Sequence, residues 1–391
     1  MEGVILNKKS GFGARPGIWQ QHATRALFFI AGFGVAAWAP LVPFIKVRFG
    51  LEEDILGLLL LCIGLGSAVT MPLAGMVVGR FGCRGVLCVS GVVYAAILFS
   101  LSLMTNMAML IAALLMFGSV MGILDVAVNI HAVLVEKAAG KRIMSGMHGL
   151  WSAGGFVGAA AFSLLRQFGL SPAATVFCIA LAMLLVLVIF GPHLLPADRR
   201  SKSSGTLAFP KGIVALVGTL CAVSFLAEGA VLDWSGVFLT SSRGFDLSLA
   251  GFGYASFSAA MLIGRLGGDR IVRKLGDQIT VIGGAIFAAV GFFIVVLAAP
   301  AELSLLGFFL VGIGSANIVP VFYSLLGNQK IMPITAAVSA VTTMGYLGIL
   351  MGPAVIGFIA HKTSLLAAFT MLAVLLLLQA VMARFVYRQN Q

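Results

Sequence analysis

Charged residues are scarce in this chain. Of its 391 residues only 10% are charged, 60% are hydrophobic, and the mean hydropathy is +1.10. Soluble domains are on average about 25% charged and about 45–50% apolar. The composition therefore excludes a water-soluble globular protein and indicates an integral membrane protein, with the lipid bilayer as its surroundings.

Cysteine pairs, metal-ligand clusters and nucleotide-binding loops are also missing. The five cysteines lie singly in or beside apolar runs, with no CxxC pair and no cluster at metal-ligand spacing. The glycine-rich stretches follow no predicted strand, and neither GKS nor GKT occurs. The sequence therefore predicts no metal and no cofactor, and it supports neither an ATP-driven pump nor an enzyme.

Long apolar runs are abundant. Runs such as 365–378 are too continuous for the alternating strands of an outer-membrane barrel, so the chain is predicted to be all α-helical. A transmembrane helix needs about 20 apolar residues. On this criterion twelve helices are predicted, at 24–45, 55–78, 86–105, 107–134, 145–165, 170–190, 212–240, 248–267, 278–298, 303–327, 333–360 and 363–385.

The net charge of +12 reports orientation in the membrane and does not indicate a nucleic-acid partner. Twenty of the 25 Lys and Arg residues, Arg265 among them, fall in segments on the side of the N-terminus. Basic residues concentrate on the cytoplasmic side of membrane proteins. Both termini are therefore expected in the cytoplasm of a bacterium with the chain in its inner membrane, and the first helix is expected to stay as an anchor.

The longest polar interruption lies between the sixth and seventh predicted helices. Two residue pairs, Trp38 with Trp234 and Gly149 with Gly345, share the same offset along the chain, which indicates a weak internal repeat. Two pseudo-symmetric six-helix bundles are expected. The predicted organisation is an N-terminal tail (1–23), a first bundle (24–190), a linker (191–211), a second bundle (212–385) and a C-terminal tail (386–391).

Two glycine-rich basic segments carry a family resemblance. Residues 75–85 and 264–276 resemble the GxxxDRxGRR-type cytoplasmic loop of the major facilitator superfamily. The resemblance implies alternating access between two six-helix bundles, with a small-molecule substrate bound near the bilayer midplane. Gly79 replaces the acidic residue usual in the first loop. The expected cytoplasmic gate consists of Arg80, Arg84, Asp269, Arg270 and Arg273.

Finer patterns point to one branch of that superfamily. The segments 147–149 and 227–234 resemble bacterial inner-membrane facilitators related to fucose permease-like sugar transporters, which implies proton-coupled transport of a polar solute. Drug/proton antiporters carry an arginine in their fourth helix and a GxxxGPxxGG pattern in their fifth. Residues 114–118 contain no basic residue and residues 149–155 no proline, so the antiporter interpretation is disfavoured.

Three carboxylates fall inside predicted membrane helices: Asp125, Glu228 and Asp233. A charge at the bilayer centre costs about 2.5–3.5 kcal/mol on insertion scales, so such residues are functional candidates. Glu228 is the first choice for proton coupling; the alternative is a static salt bridge, whose cation would have to come from another helix. Asp125 is the second carboxylate or an interhelical clamp, and Asp233 is a substrate contact or a solvated rim residue.

Other polar and aromatic residues complete the candidate site. His148 titrates near neutrality and could relay a proton, or it could bridge two helices without titrating. Three tryptophans lie within predicted spans, where their faces suit sugar rings, although lipid or core packing explains them as well. The candidate substrate contacts are Trp38, Asn129, Trp151, Asp233, Trp234, Asn317 and Tyr346.

The sequence thus predicts a monomeric transporter in which proton symport drives uptake of a small, sugar-like solute. Three alternatives stay open: a proton-coupled exporter of amphipathic compounds, a sensor with the transporter fold, and a protein that moves lipid. The substrate, the direction of transport and the stoichiometry are not encoded in any residue that the sequence singles out.

Overall fold

A computed structural model describes residues 17–50, 53–195, 209–245, 252–298 and 300–388. These residues form fourteen α-helices, two short 3₁₀ turns (Ala39–Leu41 and Gly191–His193) and no strand. The helices are α1 (Ile18–Trp38), α2 (Val42–Phe49), α3 (Glu53–Phe81), α4 (Cys83–Leu103), α5 (Met107–Ala139), α6 (Met144–Gln167), α7 (Pro172–Phe190), α8 (Ile213–Arg243), α9 (Phe252–Leu275), α10 (Asp277–Leu297), α11 (Ala301–Ser315), α12 (Ile318–Leu326), α13 (Ile334–Lys362) and α14 (Leu365–Arg388).

Each predicted span overlaps one helix, or one interrupted pair of helices. The pair α1 and α2 is separated by the 3₁₀ turn that contains Pro40, and the pair α11 and α12 is separated at Ala316 and Asn317. Nine helical stretches in the described part of the chain are long and apolar enough to cross a membrane. The helices α1, α6 and α9 are not among these nine stretches. Helix α9 carries five charged side chains.

Two segments predicted as loops are helical. Helix α3 runs to Phe81 and α9 runs to Leu275, and each is joined to the next helix by a single glycine, Gly82 or Gly276. Both glycines have positive φ values, 77° and 82°, which side chains with a Cβ rarely adopt. No proline breaks α9 before Gly276. The prediction that 264–276 is a loop is therefore wrong, and Arg265 lies inside a helix.

Close glycine contacts repeat between the two halves of the chain. A Cβ added at Gly154 of α6 would overlap the carbonyl oxygen of Phe29 in α1, and one at Gly348 of α13 would overlap that of Ala222 in α8. Small residues allow membrane helices to approach this closely. Similar overlaps, at nearly the same offset along the chain, occur at Gly118 with Ile63 and at Gly312 with Phe257. The helix packing of α1–α7 is thus repeated in α8–α14.

A histidine of α5 forms a hydrogen bond with the segment that follows α7. His131 of α5 is fully buried, and its Nε2 accepts a hydrogen bond of 2.9 Å from the Leu195 amide. Because Nε2 accepts this bond, the proton of the neutral ring is on Nδ1, which lies 3.1 Å from the Thr24 hydroxyl of α1. We call the end of the bundle that contains the α3–α4, α5–α6 and α9–α10 turns and residues 191–195 the linker end.

Candidate functional site

Glu228 of α8 forms an ion pair with Arg265 of the neighbouring helix α9. Its Oε2 lies 3.6 Å from the Arg265 Nη2, while its Oε1 is buried without a hydrogen-bond partner. Arg265 is 6% exposed; its Nη1 donates to the Ser152 hydroxyl of α6 at 2.9 Å and its Nε to the Ala316 carbonyl at 3.4 Å. The cation that the sequence analysis could not assign is therefore Arg265, and it connects the second half of the chain with the first.

Asp125 of α5 lies within electrostatic range of three phenols. The hydroxyl groups of Tyr94, Tyr323 and Tyr346, on α4, α12 and α13, are all close enough for the charge of Asp125 to act on them. Within the described residues Asp125 has no salt bridge. The Asn129 amide, one turn further along α5, donates to the Asp125 carbonyl at 2.9 Å. Within the described part of the chain Asp125 is thus a carboxylate without a paired cation, and its charge acts on side chains of both halves.

His148 of α6 packs between the two halves. Its ring centroid is 5.1 Å from that of Phe28 in α1 and 5.8 Å from that of Tyr323 in α12. Its Nε2 is buried with no hydrogen-bond partner, and it lies within range of the Arg265 charge. Ser152, the partner of Arg265, follows one turn later on α6.

These contacts define a central polar cluster, which consists of Asp125, His148, Glu228, Arg265 and Tyr323. The sequence predicts Asp125, His148 and Glu228 as site residues, but not Arg265 or Tyr323. Arg265 could have been found, because it follows the apolar run 257–263 and so meets the criterion for an intramembrane charge. Tyr323 joins the cluster only through packing that no local pattern predicts.

The predicted aromatic contacts have other neighbours. Trp38 is buried and packs against Phe117 of α5, with ring centroids 6.1 Å apart. The Trp234 ring lies against Gly357 of α13, and its Nε1 is buried without a partner. Trp151 is partly buried, and its backbone carbonyl lies against Gly32 of α1. Their described contacts are those of helix packing, and the neighbouring Asp233 is exposed.

Two polar candidates support the central polar cluster from its sides. The Asn317 side chain donates to the Gly264 carbonyl at 3.0 Å, directly before Arg265. It lies at the interruption between α11 and α12, beside the Ala316 carbonyl that Arg265 contacts. The Tyr346 phenol lies close to the Ser67 side chain of α3. Asn317 therefore holds α9 in position next to Arg265, and Tyr346 lies where α13 approaches α3.

At the linker end, the N-terminus of α6 is capped by residues from outside that helix. The helix has no side-chain cap at its own N-terminal residue. Glu136 Oε2 accepts hydrogen bonds from the Ile143 and Met144 amides at 2.8 and 2.9 Å, and Asp269 Oδ2 of α9 accepts one from the Gly146 amide at 3.1 Å. Unpaired amides and the helix dipole favour carboxylates at this position. Asp269 thus binds a helix of the opposite half.

Further contacts join the two halves beside Asp269. Arg142 pairs with Asp277 and with Glu136, and Arg273 donates to the Arg142 carbonyl at 3.3 Å. Lys137 donates to the Gly327 carbonyl at the C-terminus of α12, at 2.9 Å. We call these residues the linker-end lock, which consists of Glu136, Lys137, Arg142, Asp269, Arg273 and Asp277.

The structure brings together only part of the predicted gate. Asp269 and Arg273 belong to the linker-end lock, whereas Arg80, Arg84 and Arg270 are exposed and form no ion pair within the described residues. Nearby, the Ser339 hydroxyl of α13 donates to the Met71 carbonyl of α3 at 2.6 Å. The described conformation is therefore closed at the linker end.

Removing the Asp269 carboxylate is expected to loosen this closure. In an Asp269→Ala protein the Gly146 amide loses its acceptor, so the halves separate more often. A cysteine introduced at the buried Ser145, in a chain whose native cysteines are replaced by alanine, should react with N-ethylmaleimide several-fold faster. Lys274→Ala, which removes an exposed charge from the same helix end, is the matched control. Equal labelling rates in both variants would contradict a role for Asp269 in the closure.

Comparison with known proteins identifies the family. The family model of the Major Facilitator Superfamily matches residues 26–329. An uncharacterized MFS-type transporter of Yersinia pestis is 49% identical over 374 residues, which cover 96% of this chain and 97% of that protein. Among solved structures, the MFS transporter FucP in the outward conformation has a TM-score of 0.79 at 16% identity, covering 94% of this chain and 98% of that one. The proton:xylose symporter XylE has a TM-score of 0.74 at 14% identity, covering 94% and 95%. The chain therefore belongs to the Major Facilitator Superfamily of multi-pass membrane transporters.

Proposed function

We propose that this protein is a proton-coupled transporter that takes up a small polar solute, with proton and solute bound at the central polar cluster. The observation that carries the proposal is the buried Glu228–Arg265 pair, whose arginine also binds Ser152 in the other half. A proton on Glu228 removes the charge that holds Arg265. Proton binding is thereby linked to a contact between the two halves.

The linker-end lock supplies the conformational step. The concentration of basic residues on this side supports a cytoplasmic linker end, and with it cytoplasmic termini in a bacterial inner membrane. A lock closed at that end belongs to an outward-facing state, so inward release requires its contacts to break. A ligand shifts such an equilibrium only if it binds the two states with different affinity. Binding of a ligand at Arg265 meets this condition, because one partner of Arg265 lies in the opposite half and moves relative to it when the halves separate.

The solute is proposed to be sugar-like. Support comes from the polar, partly unpaired groups of the central polar cluster and from the likeness in fold to a proton:xylose symporter. No contact with a second copy of the chain is needed to complete the cluster, since its members come from α5, α6, α8, α9 and α12 of one chain. A monomer is the proposed working unit.

The proposal is tested by proton flux in proteoliposomes that contain the pH dye pyranine. Xylose, fucose, galactose, galacturonate, gluconate, several amino acids and tetraphenylphosphonium are added in turn outside the vesicles. A polar solute is expected to start proton influx, and Glu228→Gln should slow this influx at least tenfold because glutamine cannot carry a proton. Glu302→Gln, the same change at an exposed position of α11, should leave the flux unchanged.

Two results would overturn the proposal. Full proton influx in the Glu228→Gln protein would remove Glu228 from coupling. A response to tetraphenylphosphonium alone, with no response to any polar solute, would instead support the exporter of amphipathic compounds.

A further inference from the structure

We propose that the transported solute carries a carboxylate and that Arg265 binds this carboxylate when Glu228 holds a proton. The inference rests on the proposed function of the central polar cluster and names the chemical class of its substrate. A polyhydroxylated acid, such as a uronate or an aldonate, fits the side chains that surround Arg265.

The charge in contact with Arg265 favours a solute that is itself charged. Glu228 is the carboxylate that pairs with Arg265, and Asp125 forms no ion pair with it within the described residues. Once Glu228 is protonated, the remaining described partners of Arg265 are an uncharged hydroxyl and an uncharged carbonyl. A buried charge without a counter-charge is unfavourable. A solute that travels with the proton can supply this negative charge at contact distance.

The second argument is the geometry of the pair. At 3.6 Å, the distance between Glu228 Oε2 and Arg265 Nη2 exceeds that of a charge-assisted hydrogen bond, about 2.7–2.9 Å. Glu228 therefore holds the guanidinium through one distant oxygen and leaves the planar fork of the arginine incompletely used. A carboxylate can bind such a fork with both oxygens. A solute carboxylate can thus replace Glu228 with better geometry.

The uncharged part of the solute also finds a partner. His148 Nε2, on the first half, is buried without a hydrogen-bond partner and lies within range of the Arg265 charge. Buried polar atoms of this kind are normally satisfied, and this one can accept a hydrogen bond from a hydroxyl group. A solute that carries hydroxyl groups beside its carboxylate would bind both halves at once.

Other charge classes fit less well. A neutral sugar would leave Arg265 without a counter-charge in the proton-loaded state. An amino sugar would place a second cation next to Arg265. These classes therefore serve as the competing outcomes of the test.

The test is thermal unfolding of the purified full-length protein in detergent, with matched pairs of compounds. The acids are D-galacturonate and D-gluconate, and the comparison compounds are D-galactose, D-glucose and D-galactosamine. A ligand that binds the folded state raises the unfolding temperature, here by about 2 °C or more at saturating concentration. The acids are expected to give this shift, more strongly at pH 5.5 than at pH 8, and the comparison compounds are not.

Substitutions of Arg265 separate recognition from folding. Arg265→Gln should abolish the shift caused by the acids, and Lys274→Gln, at an exposed position of the same helix, should not. If Arg265→Gln does not fold, Arg265→Lys keeps the positive charge and should bind the acids with at least tenfold lower affinity, because the fork is lost. An equal shift with D-galactose or D-galactosamine, or no shift with either acid, would overturn the inference.

The inference and the proposed function can fail separately. An acid-specific thermal shift without proton flux in proteoliposomes would leave the carboxylate site standing and remove proton coupling. Proton flux driven by a neutral sugar, without a thermal shift from either acid, would leave proton coupling standing and remove the carboxylate site.

Discussion

Replacing Asp125 with asparagine is expected to reduce proton-driven accumulation of solute at least tenfold while solute binding is retained. The charge of Asp125 acts on the phenols of Tyr94, Tyr323 and Tyr346, and Asp125 has no paired cation within the described residues. An ionised carboxylate in such a position costs about 2.5–3.5 kcal/mol on insertion scales. The site can therefore close around Asp125 only after a proton has neutralised it, and asparagine cannot exchange that proton.

The measurement is uptake of radiolabelled D-galacturonate, or of D-galactose if the neutral sugar binds, into proteoliposomes with an imposed pH gradient. Thermal unfolding of the same variant with the same compound reports binding. Asp125→Glu is the matched control, because it keeps the carboxyl group and should retain a measurable part of the accumulation. Wild-type accumulation in Asp125→Asn, or equal loss in Asp125→Glu, would assign Asp125 to an interhelical clamp.

Helix positions were predictable because the bilayer imposes a length and a composition on each span. Every apolar run that the sequence marks overlaps a helix or an interrupted pair of helices in the described part of the chain. Asp125 and Glu228 could be selected as candidates for a related reason: a carboxylate inside an apolar run has an energetic cost. These criteria depend on composition along the chain and need no knowledge of neighbouring helices.

Arg265 meets the same criterion, but other features of its sequence surroundings indicate a loop. Its glycine-rich surroundings, Gly264 to Gly268, are typical of a turn, and an arginine there agrees with the concentration of basic residues on the cytoplasmic side. In the structure Gly264 and Gly268 face neighbouring helices: an added Cβ at Gly264 would lie 2.6 Å from the Ala316 Cβ, and one at Gly268 the same distance from the Ser145 Cβ. They serve packing, and whether a glycine is used for a turn or for contact depends on tertiary structure.

The linker-end lock was only partly predictable. The family pattern indicated Asp269, but its partner is the backbone amide of Gly146, which no side-chain spacing reveals. Arg142 and Asp277 pair across the two halves and lie far apart in the sequence. Trp38 illustrates the same limit, since its position inside a span does not reveal that it packs against the ring of Phe117.

Substituting alanine for Gly154 is expected to lower the unfolding temperature of the protein more than any other change discussed above. The added Cβ would overlap the Phe29 carbonyl oxygen, which belongs to the backbone of α1 and cannot move away as a flexible side chain could. Helices α1 and α6 would have to separate. Gly32 and Gly158 make equally close contacts along the same interface, so the separation would disrupt these contacts as well. Overpacking costs typically about 1–3 kcal/mol and more where backbone must shift.

The neighbouring glycine is the control for this prediction. Gly155 has no atom within 4 Å of an added Cβ, so Gly155→Ala makes the same chemical change without a clash. Because alanine favours a helix over glycine by up to about 1 kcal/mol, Gly155→Ala should leave the unfolding temperature in detergent unchanged or raise it slightly. Gly348→Ala should resemble Gly154→Ala, since Gly348 meets the Ala222 carbonyl in the second half in the same way. Equal unfolding temperatures for Gly154→Ala and Gly155→Ala would show that the close approach of α1 and α6 does not determine the stability of this fold.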